Sequence, residues 1–176
     1  MVPGIQKTHE ETVFNKKNFE LILICDSLLS PVNTGSLFRT ADCFGVKAIY
    51  FTGINSIEIT PRLRKASRST FKTTPHYFIS NIEELVHNLQ FSDYQWYCLE
   101  ITRQSVPLNS VQTLETNKII LIIGSEQFGI SSKTLSLIPN HVHIDMYGRN
   151  SSMNVINATN IALYHFTQQL TSLFNQ

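Results

Sequence analysis

Three short stretches of this chain set a glycine beside polar side chains able to hold or polarise a ligand. The first, Pro31-Val-Asn33-Thr-Gly35-Ser-Leu-Phe-Arg39, carries an amide near a helix start and a guanidinium further in. The second, Leu121-Ile-Ile-Gly124-Ser125-Glu126-Gln-Phe-Gly129, puts a carboxylate between two glycines. The third, Ile144-Asp-Met146-Tyr-Gly148-Arg-Asn-Ser-Ser152-Met153-Asn154, ends on a hydroxyl and an amide. Glycines permit tight turns and close approach of a backbone to a ligand, and Glu126 is suited to accept hydrogen bonds. None of the three fits the dinucleotide spacing G-x-G-x-x-G or the phosphate loop ending in G-K-[ST]. Each also has a plainer reading: an N-cap Asn33 with a solvent-facing Arg39, a strand-to-helix turn at Glu126, and helix-start caps at Ser152 and Asn154. Each stretch is expected to follow a strand, which places all three at the end of a sheet where open α/β folds bind ligands.

A fourth segment, Arg62-Leu-Arg64-Lys65-Ala-Ser-Arg68-Ser-Thr-Phe-Lys72, gathers five cations in a chain of formal net charge +1. Charge runs are usually solvated faces, but hydroxyls interleaved with Arg and Lys also suit phosphate contacts. His141 and His143 alternate on an expected strand; with no third ligand at a sensible spacing they read as ordinary polar strand positions, and no metal is expected.

The elements that must position these residues show in the hydrophobic pattern. Strands are expected at Leu21–Cys25, Lys47–Thr52, Tyr77–Ile79, Tyr94–Leu99, Ile119–Ile123 and Val142–Met146, most of them apolar on both faces. Helices are expected at Thr34–Phe44 and Ile82–Leu89, and as one long helix from Ser151 to Phe174. On that last helix Ile156, Leu163, Leu170 and Phe174 form one stripe, with Ala162, Phe166 and Leu173 beside it. The fold class is therefore α/β, a mostly parallel sheet with helices on both faces. Residues 19–176 form a single domain in this reading, and residues 1–18 a mobile N-terminal extension.

At 176 residues and 42% apolar composition the chain can bury a core without disulfides or metal. Cys25, Cys43 and Cys98 are odd in number and far apart, which argues against a disulfide framework and fits a reducing cytoplasm. No apolar run reaches the roughly 20 residues of a membrane span.

Taken together, N-x-G-x-x-x-R, then G-[SA]-E-x-x-G, then I-x-M-x-G-x-x-x-S-[LM]-N before a C-terminal helix resembles the SpoU (TrmH) family of SPOUT RNA methyltransferases, from about Phe19 onward. Asp145 stands where the family usually has Pro, and Met153 where it usually has Leu. The resemblance implies a C-terminal trefoil knot, a homodimer with active sites across its interface, and S-adenosylmethionine as cofactor. It implies transfer of a methyl group to a ribose 2′-hydroxyl of RNA. Ribosomal RNA enzymes of the family often carry a further N-terminal domain, so transfer RNA is the favoured substrate, with ribosomal RNA or a non-catalytic RNA-binding member as alternatives. Carried over by position, Asn33, Arg39, Glu126, Ser152 and Asn154 are the catalytic candidates. Leu99, Gly124, Ile144 and Met153 are the cofactor candidates, and Arg62, Arg64, Lys65, Arg68 and Lys72 are assigned to RNA. The family's proposed base is the motif-one arginine; because a guanidinium stays protonated, Arg39 is assigned instead to holding a phosphate and stabilising the developing alkoxide, with Glu126 orienting Arg39 or Asn33.

Overall fold

The computed structural model describes residues 4–8, 10–112 and 114–174. Seven strands, β1 (Glu20–Asp26), β2 (Ala48–Thr52), β3 (His76–Ile79), β4 (Gln95–Leu99), β5 (Val106–Pro107), β6 (Lys118–Ile123) and β7 (His141–His143), form one sheet in the order β3-β2-β1-β6-β4-β7-β5. Every pairing is parallel.

The apolar runs become central strands because both faces of the sheet are covered. Along β1, Leu21, Leu23 and Cys25 enter one hydrophobic cluster while Ile22 and Ile24 enter the other. In β6 the division is Ile119, Leu121 and Ile123 against Ile120 and Ile122. Two-residue periodicity sends alternate side chains to opposite faces, so a strand covered on both sides must be apolar throughout. On the first face lie α1 (Pro31–Cys43) and α5 (Val155–Phe174), through Leu37, Phe38, Leu163, Phe166 and Leu170. On the second lie α3 (Glu83–Val86) and the segment around α4 (Ser132–Leu137), through Leu85, Ile130 and Ile138. A fifth helix, α2 (Pro61–Ser67), packs on α1, burying Leu63 completely.

Several boundaries differ from the sequence expectation for local reasons. Helix α1 begins three residues early, at Pro31, because Ser30 caps it and Pro at the first helical position needs no N–H partner. Strand β7 stops at His143 rather than Met146. Its edge partner β5 ends there, with Pro107 opposite His143 and no N–H to extend the ladder. The long helix begins at Val155, not Ser151, since Asn154 Oδ1 accepts the N–H groups of Ile156 at 2.9 Å and Asn157 at 3.4 Å. Within Ile82–Leu89 only Glu83–Val86 is α-helical, followed by a 3₁₀ turn at Leu89–Phe91. The basic segment is largely helical, and β5 and α4 lacked any clear sequence signal. On α5, Ile156, Ala162, Leu163, Phe166 and Leu170 are buried while Leu173 lies at the surface; the side chain of Phe174 lies outside the described residues. Residues 4–8 and 10–18 contain no helix or strand, and residues 1–3 and 9 of the expected extension lie outside the described residues.

Candidate functional site

Ser30 Oγ accepts the N–H of Asn33, so Ser30 is the cap of α1 and Asn33 sits in its first turn. That leaves the Asn33 amide available. Its Nδ2 donates to Glu126 Oε1 at 2.7 Å, and its Oδ1 accepts from Asn154 Nδ2 at 3.3 Å. One residue from each of the three motifs thus joins a single hydrogen-bonded chain. Glu126 orients Asn33, one of the two partners expected for it.

The loop carrying Glu126 is held by its backbone. Ser125 and Gly129 exchange N–H···O bonds of 3.0 and 3.1 Å, and Ser125 Oγ accepts the N–H of Phe128 at 3.1 Å. A Cβ on Gly124 would lie 2.1 Å from the carbonyl carbon of Gly129, closer than any side chain tolerates. Gly129 has φ of +65°, and a Cβ there would fall 2.4 Å from Glu100 Oε2. Two carboxylates fasten the far side of the loop: Glu100 accepts the N–H of Ile130 at 3.0 Å, and Asp26 accepts that of Ser131 at 3.0 Å plus the hydroxyl of Thr134 at 2.9 Å. The sequence reading missed both Asp26 and Glu100. The available signal was their place, each an acid ending or directly following an apolar strand.

Between this loop and the one running from Ile144 to Asn154 opens a cleft of about 600 Å³. All four cofactor candidates, Leu99, Gly124, Ile144 and Met153, line it, as do Glu126, Ser152 and Asn154. Its volume lies within the range of small-molecule sites. Its apolar walls suit a flat organic ring, and among the described residues lining it there are two carboxylates, Glu100 and Glu126, but no Lys or Arg. That charge balance fits a ligand with cationic character and disfavours a pyrophosphate.

Arg39 is not part of this lining. It lies exposed on α1, six residues past Asn33 and so roughly 120° round the helix axis from it, on a different face. No hydrogen bond or ion pair engages it among the described residues. Gly35 lies inside α1 and is buried. A Cβ there would meet Leu63 O at 2.7 Å and Ala66 Cβ at 2.8 Å, so this glycine is what lets α2 lie directly on α1.

That packing sets the basic segment beside the first motif. Arg62, Arg64 and Lys65 lie on α2, Arg68 follows in a left-handed conformation (φ +46°), and Lys72 closes a 3₁₀ turn. All five are exposed and none is ion-paired among the described residues. Two interleaved hydroxyls, Ser67 and Thr70, serve the backbone locally, bonding the carbonyls of Arg64 and Ser67. His141 is buried, its Nε2 bonded to the carbonyls of Leu135 and Ile138; because carbonyls only accept, that nitrogen carries the proton. No cluster of three potential metal ligands occurs among the described residues.

The model of the SpoU rRNA Methylase family matches residues 20–164, most of the chain. The chain belongs to this family. A relative of this SpoU-family chain, the 23S rRNA (guanosine-2′-O-)-methyltransferase RlmB of Haemophilus influenzae, is 28% identical over 91% of the chain and 64% of that enzyme. The chain spans less than two thirds of the length of the curated relatives it matches. Among solved structures, the A. aeolicus TrmH/SpoU tRNA modifying enzyme superposes with a TM-score of 0.79 at 23% identity, over 90% of this chain and 79% of that one. An AdoMet-bound rRNA methyltransferase from Sinorhizobium meliloti gives 0.76 at 22% identity, over 89% and 59%. These likenesses establish a shared fold.

Proposed function

We propose that this chain is an S-adenosylmethionine-dependent methyltransferase that modifies a ribose 2′-hydroxyl of RNA. The observation carrying this reading is the chain Glu126–Asn33–Asn154 at the edge of a cleft whose described lining bears two carboxylates and no Lys or Arg. S-adenosylmethionine would lie among Leu99, Gly124, Ile144 and Met153, and supplies an electrophilic methyl on a sulfonium cation. Gly124 can take no Cβ because the backbone of Gly129 and Ile130 fills that space, which keeps the turn closed beside the cleft.

A ribose hydroxyl is a weak nucleophile, so the protein's part is to align it and stabilise the alkoxide that forms. Glu126 fixes the Asn33 amide, while Ser152 and Asn154 order the facing loop. A guanidinium offers five donors and no acceptor, so the role of Arg39 is to clamp a phosphate of the substrate and offset developing negative charge, not to remove the proton. Arg62, Arg64, Lys65, Arg68 and Lys72 give the RNA backbone an exposed cationic surface on and just after α2, next to the first motif. The names of the curated relatives weigh toward ribosomal RNA, against the lean toward transfer RNA drawn from the sequence.

The homodimer belongs to the same reading. It is supported by Tyr147, Ile161 and Tyr164, exposed at 93%, 43% and 60% on α5 and the loop before it, an apolar surface that a second subunit would cover. The trefoil knot implied by the family is supported by the placement of β4 between the later strands β6 and β7, and by the return of α5 to α1, where Thr40 Oγ1 meets Asn160 Oδ1 at 2.9 Å. A cytoplasmic location fits three free cysteines, two of them buried; no helix among the described residues is long and apolar enough to cross a membrane.

The test is transfer of labelled methyl groups from S-adenosylmethionine to unmodified ribosomal and transfer RNA transcripts, followed by alkaline hydrolysis. A 2′-O-methyl group blocks cleavage of the adjoining linkage, so label should survive in dinucleotides. Label released in mononucleotides would place the methyl on a base and overturn the ribose assignment.

A further inference from the structure

Phe128 is exposed at 79% on the turn that carries Glu126. An exposed aromatic ring on a mobile loop would mean little, but this turn is fixed at its base. Ser125 and Gly129 bond each other twice, the Phe128 N–H is held by Ser125 Oγ, and the following peptides are anchored on Glu100 and Asp26. Gln127 and Gly129, on either side of Phe128, both line the cleft. The ring therefore stands in water at a set position beside the cleft mouth, two residues from the carboxylate that orients Asn33.

We propose that Phe128 is a stacking residue for an unpaired base of the RNA, next to the nucleotide whose ribose enters the cleft; this rests on the RNA methyltransferase reading above. A ribose can reach a recessed site only if its nucleotide leaves the regular helical stack, and the base it parts from loses a neighbour. Aromatic side chains replace such a neighbour in single-stranded RNA recognition, without regard to base identity because every base has a π-face. A phenyl ring carries no hydrogen-bonding group, so Phe128 contributes affinity and placement while leaving sequence choice to other residues.

The experiment uses the full chain saturated with S-adenosylhomocysteine and a single-stranded oligoribonucleotide containing one 2-aminopurine among uridines. Stacking on Phe128 quenches the 2-aminopurine emission. Phe128→Ala should abolish the quench and weaken RNA binding on the order of tenfold, with Phe128→Trp restoring both. The salt dependence of binding should be unchanged in Phe128→Ala, because no phosphate contact is lost. Equal affinity and quench in wild type and Phe128→Ala, with methyl transfer to RNA intact, would overturn the stacking role alone. Binding of S-adenosylhomocysteine with no RNA binding or transfer by wild type would overturn the RNA reading and this role with it. A monomeric mass for Phe128→Ala where wild type is dimeric would assign the ring to a subunit interface instead.

Discussion

The side-chain amide of Asn33 bridges Glu126 and Asn154 and caps no helix, because Ser30 already caps α1. Residues that act through one hydrogen-bonded chain lose their effect together. Asn33→Ala and Glu126→Ala should each slow single-turnover methyl transfer by about 10- to 100-fold, the scale of a positioning or charge-stabilising contact. The double mutant should be little slower than the worse single one. All three side chains are at or near the surface, so melting temperatures should barely move. Multiplicative losses in the double mutant would show that the two act separately.

Arg39 offers a sharper distinction, since Lys can replace its charge but not its planar fork. Arg39→Ala should fold, bind cofactor with unchanged affinity and transfer methyl at least about a hundredfold more slowly. Arg39→Lys should keep part of the RNA affinity while losing much of the rate. If Arg39 were the base, the lysine variant would instead gain activity with rising pH as its ammonium deprotonates. Single-turnover rates against pH for the three proteins separate these behaviours.

Gly35→Ala pits helix propensity against packing. Alanine favours an α-helix interior by about 1 kcal/mol over glycine, but here its methyl must displace the backbone of Leu63 and the side chain of Ala66. Overpacking of this kind costs about 1–3 kcal/mol, so the variant should be less stable by urea denaturation. Its RNA affinity should also fall, because α2 carries Arg62, Arg64 and Lys65, while cofactor affinity holds. A more stable variant would mean that the two helices separate easily.

At the opposite end of the sheet, bonds from Lys47 at 2.6 Å and Tyr94 at 2.5 Å hold the Glu20 carboxyl below the usual carboxylate range. A lowered folded-state pKa means stability that is present above the unfolded value of about 4.3 and is lost as pH falls through the lowered one. With the Glu20 side chain 37% exposed, solvent screens the pair, and Glu20→Gln should cost no more than about 1 kcal/mol at pH 7. The difference from wild type should shrink as pH falls below the unfolded value and through the lowered one. A difference that stays constant across this range would assign the effect to packing, not charge.

The sequence by itself determined the parallel, doubly covered sheet, because strands such as Leu21–Cys25 and Ile119–Ile123 have no polar face to offer water. It also pointed to one shared cleft, because Leu99, Gly124 and Ile144 end or directly follow strands and parallel strands bring their carboxyl ends to one edge. What only the tertiary structure decided are relations between side chains distant along the chain. No local pattern could pair Asn33 with Glu126 rather than Arg39, since that choice depends on the rotation of α1 against the sheet. Nor could it show that Gly35 serves α2, or that Asp26 and Glu100 anchor consecutive peptides of one loop. Capping, periodicity and turn chemistry act within a few residues and are written in the sequence. Helix orientation, close approach and shared acceptors arise when separate elements compete for the same space, which happens only once the core has packed.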